Sequence, residues 1–175
     1  MRSREKGFTI IELLLSFGIM SIITSLVMMF FISNYKSFKL IKNDTELQFH
    51  AQYILNYVSN KIMESSKVEV IRTNGTTSVI NSADKYNISK MSLLYNEENL
   101  DCYIFEVRND KIYYGNGKSN DLASVELGTY VTELLVAPYP EGKTFAQTSA
   151  LRLTIKLTKE SQVFEANQII YMRNS

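Results

Sequence analysis

The sequence predicts an α+β protein in which one long N-terminal helix packs on an antiparallel β-sheet. No glycine or proline occurs between Ile19 and Lys67, so nothing local breaks a helix in the first third of the chain. Beyond Lys67 the apolar residues recur at every second position, which is the period of a strand. The 175 residues include 11 Tyr, 9 Phe and only 2 Pro, which suits a β-rich domain of ordinary size behind the helix.

An uncharged stretch runs from Leu13 to Tyr35 near the N-terminus. As a helix rising about 1.5 Å per residue, it is longer than the roughly 30 Å hydrocarbon core of a bilayer. It therefore predicts a membrane-spanning helix. One carboxylate, Glu12, lies at the beginning of this apolar run. Because a charge inside a membrane is costly, Glu12 needs a specific partner.

The basic residues Arg2, Arg4 and Lys6 precede this stretch, as in secretory signal peptides and single-pass anchors. A cleaved signal peptide is disfavoured because the apolar run exceeds the about 7–15 residues of such a signal and follows directly on a carboxylate. An ordinary membrane anchor fits the length and the basic flank. It leaves Gly7 and Glu12 without a role.

Around Glu12 the sequence reads Lys6-Gly7-Phe8-Thr9-Ile10-Ile11-Glu12-Leu13-Leu14. This segment resembles the processing site of type IV prepilins and pseudopilins. The resemblance implies that a membrane aspartyl peptidase, the prepilin peptidase, cleaves between Gly7 and Phe8 and methylates the new amino terminus of Phe8. It also implies that Glu12, at the fifth position of the mature chain, is an assembly contact.

The spacing of these residues has its own physical sense. Gly7 has no side chain, so its backbone can extend into a protease cleft. Glu12 lies four residues after Phe8, on the same helix face, and the helix dipole favours an anion in the first turn. After cleavage, Glu12 can neutralise either the amine of its own Phe8 or the Phe8 amine of a neighbouring subunit. The residues leave both open; the resemblance implies the second.

The resemblance also implies a domain organisation and a location. Residues 1–7 would be the leader, 8–32 a transmembrane helix, 33–66 its amphipathic continuation and 67–175 a β-rich extracytoplasmic domain. The N-terminus would be cytoplasmic and the chain would cross the cytoplasmic membrane once, before joining a pilus or pseudopilus. The implied partners are the prepilin peptidase, other pilin or pseudopilin subunits, an assembly platform protein and membrane lipid.

The helix is predicted to continue beyond the membrane to about residue 65. After Lys42, apolar residues recur at three- and four-residue spacing, which places them on one face of a helix. We expect this face to pack on the sheet. The face consists of Leu47, Ala51, Ile54, Leu55, Val58 and Ile62.

Period-two segments and turn residues predict the strands of the domain. Asn74-Gly75 and Asn109-Asp110 are predicted hairpin turns, residues 82–87 and 116–124 are predicted loops, and Pro138 is predicted to end a strand. The predicted strands span residues 68–72, 76–80, 91–95, 102–108, 111–114, 130–137, 151–158 and 163–171.

The clearest of these strands is 151–158, in which apolar and polar residues alternate without a break. One buried and one wet face indicate an antiparallel sheet that is covered on one side. The apolar set is Leu151, Leu153, Ile155 and Leu157, and the polar set is Arg152, Thr154, Lys156 and Thr158. Together with such a strand, the ending Ile169–Asn174 resembles the J/W-like minor pseudopilins.

Motifs of catalysis are missing from the sequence, so we expect neither an enzyme nor a cofactor or metal site. It contains no nucleophile elbow, phosphate loop, His-Glu-x-x-His or Cys-x-x-Cys. The single histidine, His50, cannot build a metal site or a triad by itself. Cys102, the single cysteine, lies in an apolar strand and is predicted to be a small buried hydrophobe.

Two functions from different classes stay open. The first is a structural subunit, a minor pilin or pseudopilin that joins a type IV pilus or a type II secretion-like filament. The second is a competence pseudopilin or membrane-tethered binding module that contacts DNA or a surface ligand through Lys36, Lys39 and Lys42. Such a basic stripe also suits solvent or lipid head groups, and the net charge of +1 gives no global attraction to DNA.

Overall fold

The computed structural model describes residues 9–73 and 78–173. It confirms the predicted α+β fold, because helix α1 (Ile10–Glu64) is followed by strands that form one antiparallel sheet. Gly7, Phe8 and the predicted Asn74-Gly75 turn lie outside the described residues. The strands are β1 (Lys67–Thr73), β2 (Tyr86–Asn96), β3 (Asp101–Arg108), β4 (Lys111–Gly117), β5 (Val125–Thr129), β6 (Val131–Tyr139), β7 (Ala150–Lys159) and β8 (Gln162–Tyr171).

The chain divides into two compact units, residues 1–42 and 43–175. Every side chain of the first unit from Thr9 onward is exposed, although most of them are apolar. A helix that is apolar all round belongs inside a membrane or a large core. By length and composition α1 is able to cross a membrane, and this suggests membrane anchoring.

The second unit contains the remainder of α1, which buries the predicted apolar face. Leu47, Ala51, Ile54 and Ile62 are fully buried, and the other two members of the face, at positions 55 and 58, are at least nine-tenths buried. The prediction for this face is therefore confirmed. Full burial of a Leu, Ile or Val side chain contributes about 1.5–3 kcal/mol, so this face holds the helix against the sheet.

The curled sheet has the strand order β5-β4-β3-β2-β6-β7-β8, and β1 also pairs with β2. Strand β2 is the centre of this arrangement, since it pairs with β1, β3 and β6. Strand β7 supplies the core with its predicted apolar face, all of it fully buried. Its members are Leu151, Leu153, Ile155 and Leu157.

The hairpin of β3 and β4 confirms the predicted Asn109-Asp110 turn. The strands pair from Arg108 and Lys111 outward. Asn109 and Asp110 have φ values of 52° and 56°, and two positive φ angles define the type I′ turn that fits the twist of a two-residue hairpin. Asn and Asp tolerate this conformation because their short polar side chains bond locally.

Two predictions about strand ends were wrong. Tyr86 and Asn87 were predicted as loop but begin β2, where the Asn87 side chain accepts a hydrogen bond from the N–H of Leu134 at 3.1 Å. Pro138 was predicted to end a strand but lies within β6, paired with Leu151. The backbone nitrogen of Pro138 points toward β2, as that of Leu134 does. Because β2 pairs with β6 only at residues 135 and 136, no ladder bond is lost there.

Two further features of the sheet were missed. Strand β5 was not predicted, because five residues with a glycine give no clear period and the strand depends on its pairing with β4. Thr154 was predicted to face water but is only 3% exposed. It lies between Leu135 on β6 and Asn167 on β8, and these cross-strand neighbours cover its short side chain.

Candidate functional site

The candidate site begins at the first turn of α1, where Thr9 and Glu12 form a reciprocal cap. The Thr9 N–H and the Thr9 hydroxyl both donate to Oε2 of Glu12, at 2.9 and 2.8 Å. In return the Glu12 N–H donates to Oγ1 of Thr9 at 3.3 Å. This is a capping box, which satisfies two N–H groups that a helix start leaves without a partner.

The cap uses one oxygen of the predicted assembly residue. Among the described residues, Oε1 of Glu12 accepts no hydrogen bond. Phe8, to whose amine Glu12 was predicted to pair, lies outside the described residues, so the role of Glu12 in assembly stays a prediction. The capping box was missed at the sequence level, although its signature, Thr-x-x-Glu before an apolar run, is legible there.

Polar side chains within the apolar stretch of α1 bond back to their own helix. Each hydroxyl or amide donates to a backbone carbonyl three or four residues earlier, at 2.7–2.8 Å. In a membrane, where no water is available, such local bonds satisfy groups that are otherwise costly. The donors are Ser16, Ser21, Thr24, Ser25 and Asn34.

The three lysines of the predicted basic stripe are all exposed. Lys36, Lys39 and Lys42 follow one another at three-residue spacing directly after the uncharged stretch. This placement suits lipid head groups and does not single out DNA.

The other residues considered for chemistry are packed in the second unit. His50 lies edge-on to the ring of Tyr130 with 5.8 Å between centroids. Cys102 is buried, and burial raises the pKa of its thiol, which keeps it protonated and unreactive. Among residues 9–73 and 78–173, no group of three His, Cys, Asp or Glu residues is placed to hold a metal ion.

A buried ion pair on the outer face of the sheet was not predicted. Lys90 on β2 lies 3.0 Å from Glu106 on the neighbouring strand, and both side chains are about nine-tenths buried. The Lys90 ammonium also donates to the carbonyl of Asp121 at 2.5 Å, while Arg108 donates to the carbonyl of Ala123 at 2.9 Å. These cations hold the predicted 116–124 loop on the sheet, which indicates a structural role.

Comparison with known proteins bears on the N-terminal part of the chain. Residues 2–28 match the family model of the prokaryotic N-terminal methylation motif. The motif implies processing by a prepilin peptidase and assembly with other pilins. Neither the curated proteins nor the solved structures gave a match. The methylation motif, on a helix of membrane-spanning length, supports a precursor of the type IV pilin or pseudopilin type.

Proposed function

We propose that this protein is a minor pilin or pseudopilin, a structural subunit and not an enzyme. The prepilin peptidase removes the residues up to Gly7 and methylates Phe8. The mature chain then crosses the cytoplasmic membrane once, with its N-terminus on the cytoplasmic side. An assembly platform protein helps it to leave the membrane and to join a type IV pilus or a type II secretion-like filament.

One observation carries the proposal. A single carboxylate, Glu12, occupies the first turn of a helix that is otherwise uncharged as far as Tyr35 and exposes all of its described apolar side chains up to Lys42. Such a helix is stable only in lipid or packed against other helices. Packing against other helices occurs in the core of a filament. There Oε1 of Glu12, which the cap does not use, accepts a hydrogen bond from the Phe8 amine of a neighbouring subunit.

The test separates the charge of Glu12 from its capping role. Glu12→Gln keeps a side chain that is able to complete the capping box but removes the charge. Thr9→Val removes the two hydrogen bonds of the cap that use the Thr9 hydroxyl, and it keeps the carboxylate and the backbone N–H that donates to it. We expect both Glu12→Gln and Glu12→Val to be processed normally and to lose incorporation into filaments. The Val variant at position 9 should still be incorporated, because the pairing charge is present.

Processing is measured by intact mass after co-expression with a prepilin peptidase. The wild-type chain should lose its first seven residues and gain a methyl group, and Gly7→Val should keep its full mass. Gly18→Ala is the matched control, since an added Cβ at Gly18 has nothing within 4 Å. A wild-type chain that keeps its leader contradicts the proposal, and so does normal incorporation of Glu12→Gln.

A further inference from the structure

The last strand of the sheet, β8, forms a long and regular edge. It pairs with β7 over ten consecutive residue pairs, from Lys159 with Gln162 to Ala150 with Tyr171, without a register shift. Among the described strands β7 is its sole partner. The other side of its backbone is therefore not paired with any described strand.

The outward hydrogen-bonding groups of β8 follow from the alternation of an antiparallel ladder. Just after the strand, the Met172 N–H donates to the carbonyl of Ser149 across the hairpin, at 2.8 Å, while the next N–H, of Arg173, points the other way to the carbonyl of Met63. Even-numbered residues of β8 thus bond to β7. The odd-numbered ones present N–H and C=O groups to the free edge; they are Val163, Glu165, Asn167, Ile169 and Tyr171.

Several exposed side chains of β8 are apolar, and the strand has few of the features that protect the edges of sheets. Val163 is 56% exposed and Tyr171 is 58% exposed, with Ile169 at 40%. Glu165 is the only charged residue of the strand, which has neither glycine nor proline. Natural sheets usually protect an edge with charges, prolines, bulges or short strands, because an unprotected edge pairs with other strands.

The other end of the same sheet is protected in these ways. Strand β5 has five residues and a register shift against β4. Its Glu126 forms an ion pair with Lys111 at 2.8 Å, and its Gly128 lies directly against the side chain of Ile54. Strand β1 carries two register shifts and the charged residues Lys67, Glu69 and Arg72. The contrast indicates that β8 is left open for a partner.

We propose that β8 docks an edge strand of a different pilin-type subunit of the same filament, so that the sheet continues from one protein into the other. This inference rests on the proposed function, which supplies the neighbouring subunits. Main-chain bonds to the odd-numbered residues provide the affinity, as in other cases of strand addition. The partner strand carries apolar side chains opposite Val163 and Ile169, and a basic or neutral side chain opposite Glu165.

A second copy of this chain is a poorer occupant, because β8 runs in the same direction as the helix of its own domain. Lys159, just before the strand, contacts Glu46 at 2.6 Å, and Gln168 near its end contacts Ser59 at 3.1 Å. An antiparallel pair of two β8 strands therefore sets the two Asn43 ends of the domains apart by about the length of ten strand residues, roughly 33 Å. Both chains must enter their domains from the same membrane. Pairing of β8 with β5 or β1 of a second copy is also disfavoured, because the register shifts and charged residues described above protect those strands.

A lysine on the edge tests the docking surface. Val163→Lys places a charge on β8, and Val125→Lys is the matched control on β5, since Val125 is 55% exposed. Both full-length variants are produced in cells that contain the complete set of subunits with the N-terminal methylation motif. The photoreactive residue p-benzoylphenylalanine at Asn167 reports contacts at the edge, and its adducts are identified by mass.

We expect an adduct from position 167 to another subunit that carries the methylation motif, with a yield that falls about tenfold in Val163→Lys and stays unchanged in Val125→Lys. An adduct to a second copy, an adduct only to proteins without the motif, or an equal yield in Val163→Lys overturns the inference. The mature mass of each variant is recorded in parallel. Normal processing without the adduct refutes the docking surface alone, whereas loss of processing in the wild type refutes the proposed function.

Discussion

The two parts of α1 belong to one continuous helix, but their side chains lie in different environments. From Ile10 to Lys42 every side chain is exposed, and no charge interrupts the stretch from Leu13 to Tyr35. From Asn43 to Glu64 one face is buried in the domain, and the exposed side is mostly polar apart from Phe49 and Tyr53. The continuity of the helix comes from the absence of breakers. Its environment is set by the side-chain pattern alone.

The polar groups of the two parts differ in the same way. In the first part, hydroxyl and amide groups bond to their own helix, as Ser16 and Asn34 do. In the second part some partners lie on the same helix, as Asp44 does for Gln48, but others come from the sheet. Ser59 bonds to Gln168, and Glu64 accepts a hydrogen bond from the Tyr103 hydroxyl. The first part makes these hydrogen bonds within its own helix, without any other element of the structure. The second needs its own domain to be folded.

The largest expected effect is a difference in unfolding free energy between the same substitution, Ile to Ala, in the two parts of α1. Ile54→Ala removes a fully buried side chain and leaves a cavity, which costs about 2–5 kcal/mol of unfolding free energy. Ile22→Ala changes a side chain that is 62% exposed, so the unfolding of the domain should not change. Thermal unfolding of the full-length protein in detergent micelles, followed by near-ultraviolet circular dichroism, measures both. Equal losses of stability would contradict the division at residue 42.

A second prediction concerns the close approach of the sheet to the helix. A Cβ at Gly128 would lie 2.6 Å from Cδ1 of Ile54 and 2.9 Å from its Cγ1, so Gly128→Ala should destabilise the domain by about 1–3 kcal/mol through overpacking. Ile54→Val deletes the Cδ1 methyl that makes the closer contact. The double variant should therefore be more stable than the sum of the two single changes predicts, as measured in a double-mutant cycle. Strict additivity would show that the strain lies elsewhere.

The features that could be predicted from the sequence are those that depend on local period. The apolar face from Leu47 to Ile62 and the strand 151–158 were both legible because burial repeats there at a fixed spacing. The Thr9 and Glu12 cap was equally local, but it was missed because Glu12 was considered only as a partner of a Phe8 amine, in its own chain or in a neighbour. The processing site stays a prediction from its motif, and the family model of the N-terminal methylation motif matches the surrounding residues 2–28.

The features that could not be predicted depend on pairs of residues that are distant in the sequence. The ion pair of Lys90 and Glu106 exists because β2 and β3 pair in one particular register. Strand β5 exists because β4 offers it an edge. The position of β8 at the edge of the sheet likewise depends on the strand order, because the sequence of one strand does not show which strands lie beside it.

The smallest expected effect lies at the point where the helix enters the domain. Lys159 contacts Glu46 at 2.6 Å, and this hydrogen bond lowers the pKa of the Glu46 carboxyl below its ordinary value of 4.5, against the opposing effect of desolvation. The stabilisation is therefore present above pH 4.5 and disappears as the pH falls through the lowered pKa. Glu46→Gln should lower the melting temperature slightly at about pH 7 and by less at about pH 3.

A matched control for this pair is offered by Glu141, which is 82% exposed and 3.3 Å from Arg152. Exposed pairs of this kind contribute little, so Glu141→Gln should leave the melting temperature unchanged at either pH. In a double-mutant cycle, Lys159→Met should remove the effect of Glu46→Gln, because the two side chains act as one pair. If Glu46→Gln lowers the melting temperature equally at both pH values, this charge does not hold the helix at its entry, and the burial of apolar side chains from Leu47 onward suffices.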